Sequence, residues 1–100
     1  MKILVTGRPG AGKSLFAKHL TKQYPDFTII ELDQCGLDRK WFYTSIKNTQ
    51  NCIVVIQHKK FIEQDIEFDN FYECTRLNDD IFQVNDGLNI ENIEFDKVSY

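Results

Sequence analysis

One hundred residues that are 42% hydrophobic, 13% aromatic and 27% charged have the composition of an ordinary globular chain. A fold of this size buries one modest core, roughly two-thirds of the surface its unfolded chain exposes, which excludes an eightfold β-α barrel or two nucleotide-binding lobes. No apolar run approaches the ~18 residues of a membrane helix and no cationic, cleavable signal opens the chain, so the expectation is one domain over residues 1–100, soluble and cytoplasmic, with no membrane partner.

The net charge of −3 conceals a division. Residues 1–60 carry ten Lys/Arg against four Asp/Glu, a net of +6, while residues 61–100 carry two against eleven, a net of −9. Such a polar molecule suits docking, its basic part meeting nucleic acid or the acidic part of a neighbour. The three cysteines, Cys35, Cys52 and Cys74, are widely spaced without a CxxC pair, so they read as buried thiols rather than a zinc site or disulfide framework.

In chain order, Lys2-Ile3-Leu4-Val5-Thr6 is a short apolar strand. A glycine-rich turn follows, then a helix from Lys13 to Gln23 with Leu15, Phe16, His19 and Leu20 on one face, stopped by Tyr24-Pro25-Asp26. His19 there reads as a satisfied core or boundary histidine. Phe27–Leu32 reads as a second strand. Asp38 can cap a second helix to Asn48, with Leu37 and Phe42 as a hydrophobic staple and Trp41, Phe42 and Ile46 toward the sheet. Cys52–Ile56 is the clearest strand, an unbroken apolar run rich in β-branched residues. Phe61–Ile66 suits a short helix. After it, Asn70–Leu77 and Ile81–Val84 read as short strands or a hairpin, with Asn85-Asp86-Gly87 as a further turn. The alternation of strand and helix over residues 1–60 predicts an α/β fold: a parallel sheet of three to five strands, helices flanking it in three layers, and a short, acidic, β-rich C-terminal part.

The strongest chemical signal is Gly7-Arg8-Pro9-Gly10-Ala11-Gly12-Lys13-Ser14, a complete G-x-x-x-x-G-K-[ST] pattern with a strand before it and a helix after it. Glycines at 7, 10 and 12 permit backbone angles that let successive N–H groups face an anion. The helix N-terminus adds its positive end. Lys13 supplies an ammonium for the β- and γ-phosphates, and the Ser14 hydroxyl can ligand Mg²⁺. Residues 1–23 thus resemble a P-loop NTPase, which implies ATP or GTP as the nucleotide, Mg²⁺, and phosphate-bond chemistry. In that family a second acid holds Mg²⁺ at the end of an apolar strand. Asp33 is the candidate here, with Glu31 two residues earlier on the same side of an extended chain.

Three readings follow. The chain resembles a reduced DNA-translocating ATPase of the FtsK/HerA kind, which includes phage DNA-packaging ATPases and zonula-occludens-toxin-like proteins. Thr28–Gln34 stands in for their Walker B strand, and Asn51–Gln57 resembles their next core strand, making Gln57 a polar sensor of the γ-phosphate. Gln34 stands where those enzymes carry a glutamate, which predicts weak turnover. It also resembles a small-molecule kinase of the shikimate-kinase type, with Asp33 positioning an acceptor hydroxyl, although clustered lid arginines are missing. The third reading is a non-enzymatic nucleotide-binding protein that docks on a host ATPase or another protein. A homo-oligomer is the other partner the charge division suggests, and Arg76 is the best-placed finger for a neighbour's nucleotide. His58-Lys59-Lys60 offers phosphate contacts, but no motif specific for nucleic acid is present.

Overall fold

The computed structural model describes residues 1–8, 10–31, 39–58, 62 and 66–95. β1 (Lys2–Gly7) is buried from Ile3 onward and β3 (Cys52–Ile56) throughout, because helices lie over both faces of this part of the sheet. They pair in parallel from Lys2↔Cys52 to Thr6↔Ile56. β2 (Thr28–Glu31) is parallel to β3 on its other side. β4 (Asn70–Arg76) runs parallel to β1 on the opposite flank. A reciprocal pair fixes its entry: Lys2 N–H donates to the Asp69 carboxylate and Asp69 N–H to the Lys2 carbonyl, both at 2.8 Å. β5 (Ile81–Asn85) and β6 (Ile90–Glu94) then fold back antiparallel, giving the order β2-β3-β1-β4-β5-β6.

The sequence pattern suggested a parallel sheet of three to five strands with a β-rich C-terminal part; the described residues form one mixed six-stranded sheet, four parallel strands continued by the antiparallel β5 and β6. Asn70–Arg76 resembles a hairpin arm locally, yet its first partner is β1. β6 escapes the pattern because only Ile90 and Ile93 among its five residues are apolar, and Ile90 is exposed. The turns before both late strands are built by side chains. Asn78 Oδ1 accepts from the N–H groups of Asp80 and Ile81 at 2.8 and 2.9 Å. Asp86 Oδ1 accepts from Leu88 at 2.9 Å and Asn89 at 2.6 Å, which holds its carboxyl below the ordinary carboxylate range.

Two cores sandwich the sheet. On one face, Phe16, Ala17 and Leu20 of α1 (Lys13–Leu20) pack on Ile3, Val5, Ile53 and Val55, and the same core continues through Cys74, Phe82 and Val84. On the other, Phe42 and Ile46 of α2 (Arg39–Asn48) pack on Leu4, Ile30, Val54 and Ile56. The first helix is shorter than its pattern, ending at Leu20. Its continuation to Gln23 is a tighter turn, in which the N–H groups of Thr21, Lys22 and Gln23 reach carbonyls three residues back.

Trp41 does not face the sheet interior as expected; it is 56% exposed. Phe42 and Ile46, four residues apart, occupy the buried stripe, and Trp41 is rotated off it to line a groove with β2, Ser45 and Thr49. His19 is half-buried, and its Nδ1 is buried with no hydrogen-bond partner, so it is not the satisfied histidine expected. Cys52 and Cys74 are buried free thiols. Leu32 to Asp38, which include the proposed helix cap and Cys35, and most of the 61–66 helix lie outside the described residues.

Beyond β4, among the described residues, the sheet packs a core on one face only. Tyr72, Cys74, Phe82, Val84 and Ile93 join the α1-side core, while the alternate residues Glu73, Thr75, Gln83, Asn85 and Asn92 form a polar opposite face. Phe82 is the central anchor of this extension, fully buried, its ring tilted against that of Phe95 with the centroids 4.8 Å apart. Phe82→Ala is expected to cost about 3–5 kcal/mol, read as a lower denaturant midpoint in urea unfolding.

Candidate nucleotide-binding site

The chain leaves β1 toward β2 and leaves β3 toward β4, in opposite directions, so a crevice opens outside the carboxyl ends of these adjacent strands. The glycine-rich loop begins there. Gly7 N–H donates to the Gln57 carbonyl at 3.2 Å, tying the loop's first residue to the tip of β3. The next residues make a tight turn, with Ala11 N–H donating to the Arg8 carbonyl at 3.0 Å and Gly10 at φ +81°. Gly12, at φ +85°, precedes α1, and Phe16 N–H donates to the Gly12 carbonyl at 2.8 Å.

Each glycine of the pattern meets one residue of the β4–β5 hairpin. A Cβ at Gly7 would lie 2.8 Å from the Cys74 carbonyl oxygen, and one at Gly12 would lie 3.0–3.2 Å from the Phe82 ring. At Gly10 the partner is Arg76, whose Nη1 donates to the Gly10 carbonyl at 3.2 Å. The loop is thus shaped from below by the hairpin, a main-chain carbonyl at Gly7 and side chains at Gly10 and Gly12.

The first turn of α1 carries no acidic residue, and its N–H groups have no intrahelical carbonyl to reach, so the helix start is free to meet an anion. Lys13 is half-buried there and Ser14 exposed. Beside the loop lies a cleft of about 710 Å³ lined by Thr6, Gly7, Arg8, Ala11 and Gln57, with Phe71, Glu73 and Thr75 of β4 on its far wall. The structure thereby brings Gln57 to the loop. Glu31 ends β2, separated from β1 by β3, and lines the edge groove with Trp41 rather than this cleft. Pro9 and Asp33 lie outside the described residues.

The donor set suits Mg²⁺ arriving with a nucleotide. Mg²⁺ keeps several waters and takes one or two protein oxygens besides phosphate, and the Ser14 hydroxyl is such an oxygen. Among the described residues there is no group of three His, Cys, Asp or Glu able to hold a metal by themselves.

Sequence reasoning missed the contacts of Cys74 and Phe82 with the loop, and the cleft wall of Phe71, Glu73 and Thr75. The two-residue alternation of Asn70–Arg76 separates these two sets by face, but nothing local announces that the strand docks beside β1. Arg76, the finger expected for a neighbour's nucleotide, donates in this chain to the Gly10 carbonyl of its own loop.

A loop of this pattern between a parallel strand and a helix, at the carboxyl edge of an α/β sheet, defines a P-loop nucleotide-binding protein. The family model for "ATPase family associated with various cellular activities (AAA)" matches residues 3–84, from the second residue of β1 to the next-to-last of β5. The chain belongs to the AAA ATPases, which makes ATP the nucleotide rather than GTP. No curated protein and no solved structure matches the chain. No helix among the described residues is long and apolar enough to cross a membrane.

Two measurements test this geometry. Gly12→Ala places a side chain at a positive φ and against Phe82, so it is expected to lose about 1 kcal/mol or more of stability in urea unfolding and to weaken ATP binding. Burial pushes the Cys74 thiol from its ordinary 9.0 up to about 12, with Lys13 pulling weakly down and Glu73 pushing up. The native thiol stays protonated while the unfolded one titrates, so this contribution is whole below pH 9 and is lost as pH rises from 9 toward 12. The slope reaches about 1.4 kcal/mol per unit. Unfolding curves at pH 7, 9 and 10.5 should show a steeper loss for the wild type than for Cys74→Ala.

Proposed function

We propose that the chain binds Mg²⁺-ATP in the Gly7–Ser14 cradle and hydrolyses it slowly alone, as a partner-activated ATPase of the small viral or plasmid DNA-packaging or translocating type. The observation that carries the ATPase reading is the cradle's position: a complete phosphate loop at the open carboxyl edge of the sheet, within an AAA match that spans it. In this reading the loop amides and the α1 N-terminus hold the phosphates, and Lys13 neutralises the β- and γ-phosphates. Ser14 and Asp33 hold the metal, which when bound spreads the charge that develops on the phosphoryl oxygens.

In this reading Gln57, whose main-chain carbonyl accepts from Gly7 N–H, is the polar sensor that orients the attacking water. Glu31 is the further carboxylate of this reading, one strand removed. Slow turnover follows from chemistry: Gln34 occupies the place of the expected glutamate, and a neutral amide cannot take a proton from water. AAA proteins often oligomerise, and the basic and acidic parts of the chain are suited to docking between copies. The translocating reading rests on the resemblance of the β2 and β3 segments. The ATPase match favours neither the acceptor kinase nor the non-enzymatic reading.

The test is a thermal shift with and without Mg²⁺-ATP, beside Lys13→Ala, followed by phosphate release with and without DNA. At a hundredfold excess over Kd, Mg²⁺-ATP should stabilise the wild type by about 2.7 kcal/mol and Lys13→Ala hardly at all. Phosphate release should be slow alone and faster with DNA. No shift with Mg²⁺-ATP removes the ATP reading; a shift with release indifferent to DNA removes only the translocating one.

A further inference from the structure

We propose that the chain self-associates head to tail through its two open sheet edges, β6 of one copy adding to β2 of the next. The inference rests on the docking between copies in the proposed function, whose two surfaces it names, and it is independent of the ATP cradle.

Among the described residues, no strand lies outside β2 at one end of the sheet or outside β6 at the other. The outer main-chain donors and acceptors of both strands therefore stand where a further strand would bind them. The two edges match in length, four residues in β2 and five in β6. At the β2 edge a groove of about 300 Å³ runs between all four residues of the strand and Trp41, Ser45 and Thr49 of α2. That edge thus offers room for a side chain as well as main-chain groups. At the β6 edge, alternation puts Ile93, paired with the core residue Phe82, on the α1 side and leaves Ile90, Asn92 and Glu94 on the α2 side. Ile90 is 63% exposed and belongs to neither core.

Strand direction decides how the edges meet. β4 is parallel to β1 and β5 reverses, so β6 runs the same way as β2. A neighbour in the same orientation extends the sheet by parallel pairing of its β2 with β6, and the α2 face continues across the junction. That puts Ile90 and Glu94 on the side of the groove. α2 connects two parallel strands and so runs back along β2, which sets Thr49 at the amino end of the groove and the basic first turn, Arg39 and Lys40, at its carboxyl end. Ile90 enters at the first end and Glu94 lies toward the second. Charge selects this junction over the symmetric ones. β2 and α2 together carry three bases, Arg39, Lys40 and Lys47, against one acid, Glu31. Residues 77–95 carry Asp79, Asp80, Asp86, Glu91 and Glu94 and no base. Two β6 edges would oppose acids and two β2 edges would oppose bases, whereas unlike edges attract. Each copy then has one giving and one receiving edge, and such a junction builds a ring where the rotation closes and a filament where it does not.

Sedimentation velocity of the full chain, run up to its solubility limit, reads the assembly, with circular dichroism melts to establish that each variant is folded. Ile90→Arg blocks the β6 edge and Ser45→Trp fills the groove. Each alone should raise the concentration at which half the chain is assembled on the order of tenfold or more. An equimolar mixture of the two should form a dimer that grows no further, because each variant keeps the edge the other has lost. Higher ionic strength should weaken wild-type assembly. A wild type that stays monomeric throughout overturns the proposal. Assembly that survives either variant overturns it too, since the junction is then symmetric or lies on another surface, and so does a mixture that stays monomeric. Ile90→Arg should bind Mg²⁺-ATP as the wild type does, so assembly is read apart from the cradle. A wild type that assembles as described but does not bind Mg²⁺-ATP removes the ATP reading and supports this one. If Ser45→Trp fails to fold, Thr49→Arg takes its place with the same expected outcomes.

Discussion

The structure depends on close approach between the phosphate loop and the hairpin packed against it. At Gly7 a carbonyl oxygen leaves no room for one added carbon, and at Gly12 an added carbon would press on an aromatic ring. A loop with larger residues would be lifted off the sheet, and its amides would no longer stand over the crevice between β1 and β3. The usual account of such glycines is dihedral freedom, and Gly10 and Gly12 do need it. Gly7 shows the other requirement, which is steric: the loop is low because β4 is near.

That dependence changes the meaning of the acidic C-terminal part. In composition it is a run of carboxylates and turn residues, separable from the basic first 60 residues. In space, β4 and β5 provide the supports on which the loop rests, and Phe82 belongs to the same core as Phe16 of α1. The AAA match ends at residue 84, after Phe82 and Val84 have entered that core, so the family similarity and the mechanical unit reach nearly the same boundary.

Much of the site was legible because its physics is local. Gly7–Ser14 declares itself through residue types at fixed spacing, and Cys52–Ile56 through an apolar run that only a strand covered on both faces can bury. Gln57 followed from being next after that strand. Partners set by register were not legible. Cys74, Arg76 and Phe82 lie more than 60 residues from the glycines they meet, and no periodicity encodes which strand will lie beside β1. Trp41 was misplaced for a subtler reason: in a ten-residue helix over a narrow edge, two buried positions fill the stripe and a third large residue is left at its margin. β6 has too little apolar content to show alternation, and its pairing with β5 supplies what its side chains lack.

The link between Gly7 and position 57 is made by main-chain atoms alone. Its geometry is indifferent to which side chain position 57 carries, provided the strand keeps its path. Architecture and chemistry are thereby uncoupled at the tip of β3: the fold holds a side chain beside the cradle without specifying it. A lineage could exchange an amide there for an acid, a hydroxyl or an apolar group, and alter what happens at the phosphate while the sheet beneath stays the same.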